Sequence, residues 1–305
     1  MSSPTDDAGN VDAVHREPPP WLRRWRFLVL LVATFVIMAA LQELSVALSG
    51  LGVVELVVGV VSAAAALFGY DRLCKFVEGR TVIAELPRES APSGLLWGMG
   101  IGAGLFVATI GIIAVFGGVD HIGGGGDWWK FLATIGVMAC TAATEEVVFR
   151  GVVYRITEER FGTWIALVVS SIVFGAVHLA GKSEVSGGAE VLGVVGIMIQ
   201  GGLVTGAAYA AGRALWAPIG IHFAWNLTEA GFGTAVSGKT SEFGSLVQTM
   251  LTGPTALTGG SFGPEASVTA NVLALVPVVL LLRWAAKNGK VVRRGGSSSP
   301  RAAQA

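Results

Sequence analysis

Residues 144–151, TEEVVFRG, place two adjacent carboxylates and an arginine inside an otherwise apolar stretch of the chain. Ionisable side chains at membrane depth are costly, so they indicate a functional site by default. On a helix, Glu146 and Arg150 lie four residues apart with the acid first, an order that favours pairing. Glu145 points about 100° away from that pair. We therefore expect a neutralised Glu146–Arg150 pair beside a Glu145 that stays available for chemistry; the alternative is a purely structural ion-pair cluster.

The composition is typical of a membrane protein rather than a soluble domain. Of the 305 residues, 52% are hydrophobic and 14% charged, and the mean hydropathy is +0.65. Apolar stretches of about 20 residues predict transmembrane helices. The two cysteines, Cys74 and Cys140, provide no disulfide framework and no CxxC metal pair. The polar first 20 residues do not resemble a signal peptide. We expect the lipid bilayer as a partner and no nucleic acid.

The apolar pattern predicts an all-α fold, a polytopic bundle of about eight transmembrane helices around a polar intramembrane cavity. The second span is the least secure as a full crossing. The predicted spans are residues 27–48, 51–70, 93–117, 130–154, 163–180, 189–211, 215–233 and 268–285. The predicted regions are a disordered tail at 1–26, N-terminal helices with a basic loop at 27–90, a core at 91–285 and a disordered tail at 286–305.

Basic residues are concentrated at alternate ends of these spans, which predicts the orientation of the chain. The expected outer loops contain only Lys130, Lys182 and Lys239. The expected inner segments contain Arg16, Arg23, Arg24, Arg26, Arg72, Lys75, Arg80, Arg88, Arg155, Arg160, Arg213, Lys287, Lys290, Arg293, Arg294 and Arg301. We therefore expect a multi-pass protein of the cell membrane with both termini cytoplasmic.

Two further predicted spans contain a histidine with a partner one helical turn away. Phe174 precedes His178 in SIVFGAVHLA, and Asn226 follows His222 in IGIHFAWNLT. A single membrane histidine more often bonds two helices together. Three helices with costly polar residues instead indicate one shared site. At 1.5 Å per residue, Glu145 and the two histidines lie roughly 10 to 22 Å from the cytoplasmic helix ends. These depths are compatible with a single cavity that opens toward the cytoplasm if the helices are tilted or staggered.

These three motifs together resemble those of the CPBP family of intramembrane proteases. EEVVFR at residues 145–150 is similar to Glu-Glu-x-x-x-Arg, FGAVH at 174–178 to Phe-x-x-x-His, and HFAWN at 222–226 to His-x-x-x-Asn. The family comprises CAAX prenyl endopeptidases related to Rce1, with bacterial Abi and bacteriocin-processing relatives. The resemblance covers about residues 90–285, and each motif is weak alone but strong in this combination.

The resemblance implies a role for each matching residue. Glu145 would be the general base that activates water, and His178 would help to hold that water. His222 and Asn226 would stabilise the oxyanion of the tetrahedral intermediate. The chemistry agrees, because a carboxylate removed from water is a stronger base and an imidazole with an amide can supply two hydrogen-bond donors. The supporting residues would be Glu146, Arg150 and Phe174.

The sequence leaves the use of a metal open. Members of the family have been called both metalloproteases and glutamate-dependent proteases. If zinc takes part, its ligands would be Glu145, His178 and His222, a set of two histidines and one carboxylate. No HExxH helix is present. We therefore expect a site that needs no cofactor, with zinc as the alternative.

The predicted function is that of an intramembrane endopeptidase that cuts a membrane-anchored peptide or protein near the cytoplasmic side. One alternative is a transporter or channel that uses the buried Glu/His cluster; it predicts inverted repeats, which the sequence does not display. The other alternative is a catalytically silent scaffold or immunity protein of the same fold. The Ala/Gly/Val-rich composition suggests a bacterial protein, in which prenylated substrates are not expected.

Four other acidic residues in or near the spans are expected to lie outside the site. For Glu229, one turn beyond Asn226, we expect an outer-end position in contact with headgroups or water. The same is expected of Glu43, Glu55 and Glu190.

Overall fold

The computed structural model describes residues 18–48, 50–180, 188–239 and 243–294. Six of its helical segments are long and apolar enough to cross a membrane, which confirms a polytopic helical bundle. They are Pro20–Ser45, Val53–Glu78, Arg88–Val115, Trp128–Phe161, Val191–Gly212 and Val268–Lys287. Two shorter helices, at 163–180 and 216–231, lie where the other two predicted spans were placed, so the count of eight crossings stays a prediction.

The chain consists of eleven helices among the described residues, with two π-helical segments, two strands and three short turns. The helices are α1 (Pro20–Ala47), α2 (Val53–Glu78), α3 (Ala91–Val115), α4 (Trp128–Glu146), α5 (Arg155–Phe161), α6 (Thr163–Ala180), α7 (Gly188–Ile197), α8 (Thr205–Gly212), α9 (Trp216–Gly231), α10 (Thr255–Thr258) and α11 (Val268–Lys287). Two π-helical segments, Val147–Tyr154 and Met198–Val204, join α4 to α5 and α7 to α8. Strands β1 (Val119–Gly123) and β2 (Gln248–Leu251) form an antiparallel pair. Short 3₁₀ turns lie at Arg88–Ser90, Gly260–Phe262 and Pro264–Ala266.

Both predicted tails are partly ordered. Helix α1 begins at Pro20, ahead of the predicted start at residue 27, because proline suits the first helical position and the basic residues extend the helix beyond the apolar part. At the other terminus, Thr163 N donates to Val292 O at 3.0 Å and Val292 N donates to Thr163 Oγ1 at 2.9 Å. Residues 288–294 therefore pack against the start of α6. The remainder of the predicted tails, residues 1–17 and 295–305, lies outside the described residues.

The alternation of helix direction gives the bundle two distinct ends. The end that we call the terminal end holds Pro20, Lys287 and the connections 78–91, 161–163 and 212–216. The end that we call the loop end holds the connections 47–53, 115–128 and 231–268 and the facing ends of α6 and α7. At the loop end, β1 pairs with β2, and Gly244 N donates to Thr134 Oγ1 of α4 at 2.9 Å. The long connection 231–268 thus folds back onto the bundle.

Glycines set the distances between the helices that carry the motifs. A Cβ on Gly59 of α2 would lie 2.2 Å from the carbonyl carbon of Gly136 on α4. A Cβ on Gly98 of α3 would lie 2.3 Å from Ala217 O on α9. Small residues of this kind allow transmembrane helices to approach at backbone distance. Helices α4 and α9 are held in this way by neighbours that carry none of the three motifs.

Candidate active site

A cavity of about 360 Å³ lies between the helices, and all four predicted catalytic residues line it. These residues come from three different elements: Glu145 from α4, His178 from α6, and His222 with Asn226 from α9. Helices α1 and α3, the segment around Met198–Val204 and the connection 231–268 complete the wall. The structure therefore brings together the three motifs that the sequence placed on separate helices.

Glu145 lies at the centre of the site. Its Oε2 atom is 3.8 Å from His178 Nε2 and 3.9 Å from His222 Nε2. Among the described residues this buried oxygen has no hydrogen-bond partner. Gln42 Nε2 of α1 lies 3.4 Å from the other oxygen, Oε1. Each of these two distances is longer than a direct hydrogen bond, but a water molecule could bond both to Oε2 and to a histidine Nε2.

Both histidines are oriented by a hydrogen bond at Nδ1. His178 Nδ1 lies 2.9 Å from the carbonyl oxygen of Phe174, which can only accept, so Nδ1 carries the proton. His222 Nδ1 lies 3.0 Å from Oε1 of the Glu146 carboxylate, which also can only accept, so this Nδ1 carries a proton as well. The Nε2 atoms of both rings consequently face Glu145 Oε2. His178 Nε2 is then an acceptor in the neutral ring.

The predicted pair of Glu146 and Arg150 is present and fully buried. Arg150 Nη1 donates to Glu146 Oε1 at 2.9 Å, and neither side chain is exposed. Glu146 Oε1 also accepts from His222 Nδ1, so this carboxylate orients a site residue while it is neutralised. The Arg150 guanidinium lies 4.8 Å from the ring centre of Phe174, whose ring is 4.6 Å from that of His178. Phe174 thus lies between the buried ion pair and one of the site histidines.

Both π-helical segments accept hydrogen bonds from side chains of other elements, and one of them accepts from Arg150. A π segment interrupts the regular i to i−4 hydrogen bonds and is often found at functional sites. In the segment Met198–Val204, the carbonyls of Gly201 and Gly202 accept from Arg150 Nη2, the latter at 3.1 Å. In the segment Val147–Tyr154, Gly151 O accepts from Tyr70 Oη at 2.9 Å. Carbonyl groups of both π segments therefore accept hydrogen bonds from side chains of other elements.

Several polar residues of the cavity were not identified from the sequence. Gln42 and Gln200 line it, and both lie inside predicted spans, where a glutamine is an available signal. Gln200 Nε2 donates to Glu265 O at 2.9 Å and to Asn271 Oδ1 at 3.1 Å. Its Oε1 has no partner among the described residues. Ser237 and Glu265, from the connection 231–268, also line the cavity.

The expectation for Glu229 is wrong. This residue is fully buried instead of reaching headgroups or water. Its carboxyl group accepts from Trp225 Nε1 at 3.2 Å and interacts with Glu265. The physical reason is that the connection 231–268 folds back over the end of α9 and covers it; Thr234 Oγ1, for example, donates to Glu229 O at 2.9 Å.

The other three acidic residues differ among themselves. Glu43 is exposed, whereas Glu55 is buried at the start of α2 and accepts from Gly50 N at 2.9 Å. The side chain of Glu190 lies outside the described residues.

The cavity lies toward the loop end of the bundle, whereas the depths of the motif residues were also compatible with a cavity open toward the termini. Its floor is near the middle of the bundle, at Phe149, Val204 and Ile221. From there it extends to the loop end, where Ser237 and the exposed Lys239 form part of its wall. Residues near the middle of a helix are almost equally far from both of its ends, so their depth alone could not decide the direction of opening.

The three candidate zinc ligands fit a zinc ion poorly. Among the described residues, no group of three or more His, Cys, Asp or Glu side chains is placed to hold a metal ion. The separations of 3.8 and 3.9 Å between Glu145 Oε2 and the two Nε2 atoms exceed the roughly 3.4 Å between neighbouring donors of a tetrahedral zinc. The expectation of a metal-independent site stays a prediction.

The comparison with protein families fits this geometry. Residues 127–228 match the family described as type II CAAX prenyl endopeptidase Rce1-like. The match covers about a third of the chain, residues 127–228 of 305. No curated protein and no solved structure matched the chain. The matched residues include Glu145, His178, His222 and Asn226, whereas α1 and α3, which also line the cavity, lie outside the match. The family that these residues match is one of proteases.

Proposed function

We propose that the protein is an intramembrane endopeptidase that hydrolyses a peptide bond of a membrane-anchored protein or peptide. The observation that carries the proposal is the position of Glu145 Oε2, which is unpartnered among the described residues and faces Nε2 of both His178 and His222 inside the cavity. A carboxylate held there beside an acceptor nitrogen is suited to bind and deprotonate water.

In the proposed mechanism, a water molecule donates one hydrogen bond to Glu145 Oε2 and the other to His178 Nε2. The second bond is available because the Nδ1 proton of His178 is engaged by Phe174 O at 2.9 Å. With both protons directed at the protein, a lone pair of the water oxygen points into the cavity. Glu145 takes a proton as this oxygen attacks the carbonyl carbon of the substrate.

The negative charge that develops on the substrate carbonyl oxygen requires hydrogen-bond donors. Asn226 lines the cavity one turn after His222, and its amide group is one donor. The second is Nε2–H of His222 in its imidazolium form, because Nδ1–H remains bonded to Glu146. Glu146 and Glu145, on either side of the ring, provide the negative charge that such a cation needs.

Collapse of the tetrahedral intermediate completes the hydrolysis. The carbon–nitrogen bond breaks, and protonated Glu145 gives its proton to the leaving amine. The hydroxyl group derived from water stays on the new carboxyl terminus. Glu145 is thereby returned to its ionised form without a covalent intermediate.

The test is a quantitative comparison of membrane peptides from cells that express the wild type or Glu145→Gln. Cleavage products should appear with the wild type and be absent with Glu145→Gln. The matched control is Glu43→Gln, which makes the same chemical change at an exposed position of α1 and should leave the products intact. Identical peptide sets for wild type and Glu145→Gln would instead favour a silent scaffold of the same fold.

A further inference from the structure

We infer that the cavity receives its substrate from the extracytoplasmic side of the membrane, the side opposite the chain termini. The substrate class would then be a membrane-anchored segment whose cleavage site lies at or beyond the outer leaflet, not a cytoplasmic tail. The direction of opening is independent of catalysis, whereas the substrate class rests on the proposed peptidase function.

The walls of the cavity show which end of the bundle it reaches. Phe243 and Glu265, like Ser237 and Lys239, belong to the connection 231–268 at the loop end. On α1 the wall is formed by Met38, Gln42 and Ser45, in the half of that helix that approaches the loop end. The cavity therefore occupies the loop-end half of the molecule.

The terminal end is filled by a network of buried ion pairs that lies beyond the cavity floor. Arg155 Nη2 pairs with Glu78 Oε2 at 3.0 Å, and Arg80 Nη2 pairs with Glu85 Oε2 at 2.8 Å. The side chains of Glu78 and Glu85 are only 3% and 6% exposed. A peptide that entered from this end would have to separate charges that are already paired and removed from water, which is costly.

The distribution of basic residues orients these two ends in the membrane. In the sequence, only three basic residues occur in the loop-end connections, in the segment between α6 and α7 and at the adjoining helix ends: Lys130, Lys182 and Lys239. The connections, terminal segments and adjoining helix ends of the terminal end contain most of the others, among them Arg23, Arg24, Arg26, Arg72, Lys75, Arg80, Arg88, Arg213, Arg293 and Arg294. Short segments rich in Lys and Arg remain in the cytoplasm. The loop end, and with it the cavity, then faces the opposite side.

The interior of the cavity matches a peptide that enters from water at the loop end. Gln200 Oε1 is a buried acceptor without a partner among the described residues, and it is fixed because Nε2 is engaged by Glu265 O and Asn271 Oδ1. An extended peptide offers backbone N–H groups to such an acceptor. Along the wall of the cavity, Met38, Met138 and Val177 provide apolar contacts for its side chains.

The test is thiol labelling with a membrane-impermeant sulfonated maleimide in the full-length protein. Both native cysteines are first replaced (Cys74→Ala, Cys140→Ala). Ser237→Cys then places a thiol in the cavity wall, and Asp120→Cys places one on the exposed strand β1 at the same end, away from the cavity. Asn288→Cys is the matched control at the terminal end, also on an exposed position. Labelling is compared between intact cells and inverted membrane vesicles.

We expect Ser237→Cys and Asp120→Cys to react in intact cells, and Asn288→Cys to react only in inverted vesicles. The reverse pattern, or reaction of all three from one side, would overturn the inference. Reaction of Asp120→Cys but not Ser237→Cys in intact cells would also overturn it, because the cavity would then be closed to outside water. None of these results depends on cleavage, so a failure here is distinguishable from unchanged peptides in Glu145→Gln, which would overturn the peptidase function instead.

Discussion

Two glutamates that are neighbours in sequence have opposite environments in this protein. Glu146 accepts hydrogen bonds from Arg150 at 2.9 Å and from His222 at 3.0 Å and is fully buried. Glu145 faces the cavity, and its nearest cationic or imidazole atoms are 3.8 and 3.9 Å away. A helix rotates by about 100° per residue, so adjacent side chains are directed into different surroundings. The Glu146 carboxylate is therefore suited to hold the site together, and the Glu145 carboxylate is suited to act on water.

Substitution of each glutamate by glutamine should separate these roles. Glu145→Gln keeps the shape but removes the base, so cleavage should fall by about 10²–10⁴-fold with little change in stability. Glu146→Gln leaves the fully buried Arg150 without its counter-charge and should lower the free energy of unfolding by about 3–5 kcal/mol. Product formation in native membranes and unfolding in mixed detergent micelles would measure the two effects. Near wild-type cleavage by Glu145→Gln would exclude this residue as the base.

Metal content provides a second test at the residue scale. If Glu145 acts as a base without a metal, the purified protein should contain substoichiometric zinc and keep its activity after dialysis against EDTA. His178→Ala should then leave the metal content unchanged. A zinc enzyme would instead hold about one ion per chain and lose it when a first ligand is removed. Metal analysis of the protein itself, beside the activity measurement, decides between the two.

At the scale of the helices, the sequence predicted where the helices lie, but it did not predict the π segments within them. The predicted spans lie close to the observed helices, because long apolar runs bounded by polar connections fix where a helix can cross a bilayer. The π segments at Val147–Tyr154 and Met198–Val204 could not be predicted in this way. Backbone carbonyls in these segments accept hydrogen bonds from side chains of other elements, such as Tyr70 and Arg150. These bonds depend on tertiary packing.

Gly201→Ala should disrupt the segment that supports Arg150. A Cβ at this position would lie 2.4 Å from Phe174 Cε1, so the aromatic ring would have to move away from both Arg150 and His178. We expect a lower thermal unfolding midpoint and reduced cleavage. Gly104→Ala is the matched control on α3, where a Cβ meets nothing within 4 Å; it should leave both quantities unchanged or raise the midpoint slightly. Equal midpoints for the two variants would contradict the packing argument.

At the scale of the whole molecule, the sequence predicted which residues meet but not the shape of the space around them. The motif residues converge because their polar side chains are costly in hydrocarbon and can be satisfied together. The roles of Gln200 and the buried Glu229 were missed because both depend on the connection 231–268, whose sequence has no regular pattern. This connection accepts a hydrogen bond from Gln200 through Glu265 O, and it covers Glu229. The same connection forms the upper wall of the cavity, so the direction of opening also required the tertiary structure.

The terminal end is held together by charges that connect distant parts of the chain. Glu158 of α5 accepts from Thr163 Oγ1 at 2.6 Å and from both terminal nitrogens of Arg213, at 2.9 and 2.6 Å. Burial lowers the pKa of the Arg213 guanidinium, but the hydrogen bonds and charge of Glu158 outweigh it, so that the pKa lies above its ordinary value. Arg213 therefore stays charged at any working pH, and loss of its partner cannot be relieved by deprotonation.

Glu158→Gln should for this reason destabilise the protein as a whole. We expect a loss of about 2–3 kcal/mol in the free energy of unfolding, below the 3–5 kcal/mol of a fully buried pair because the Arg213 side chain is 33% exposed. Glu159→Gln is the matched control one residue along the same helix. The Glu159 side chain is 27% exposed, and its two partners, Arg155 and Arg26, both keep Glu78, so the loss should be below about 1 kcal/mol. Unfolding of the purified proteins in mixed detergent micelles would measure both values, and equal losses would refute a special role for Glu158 in closing this end.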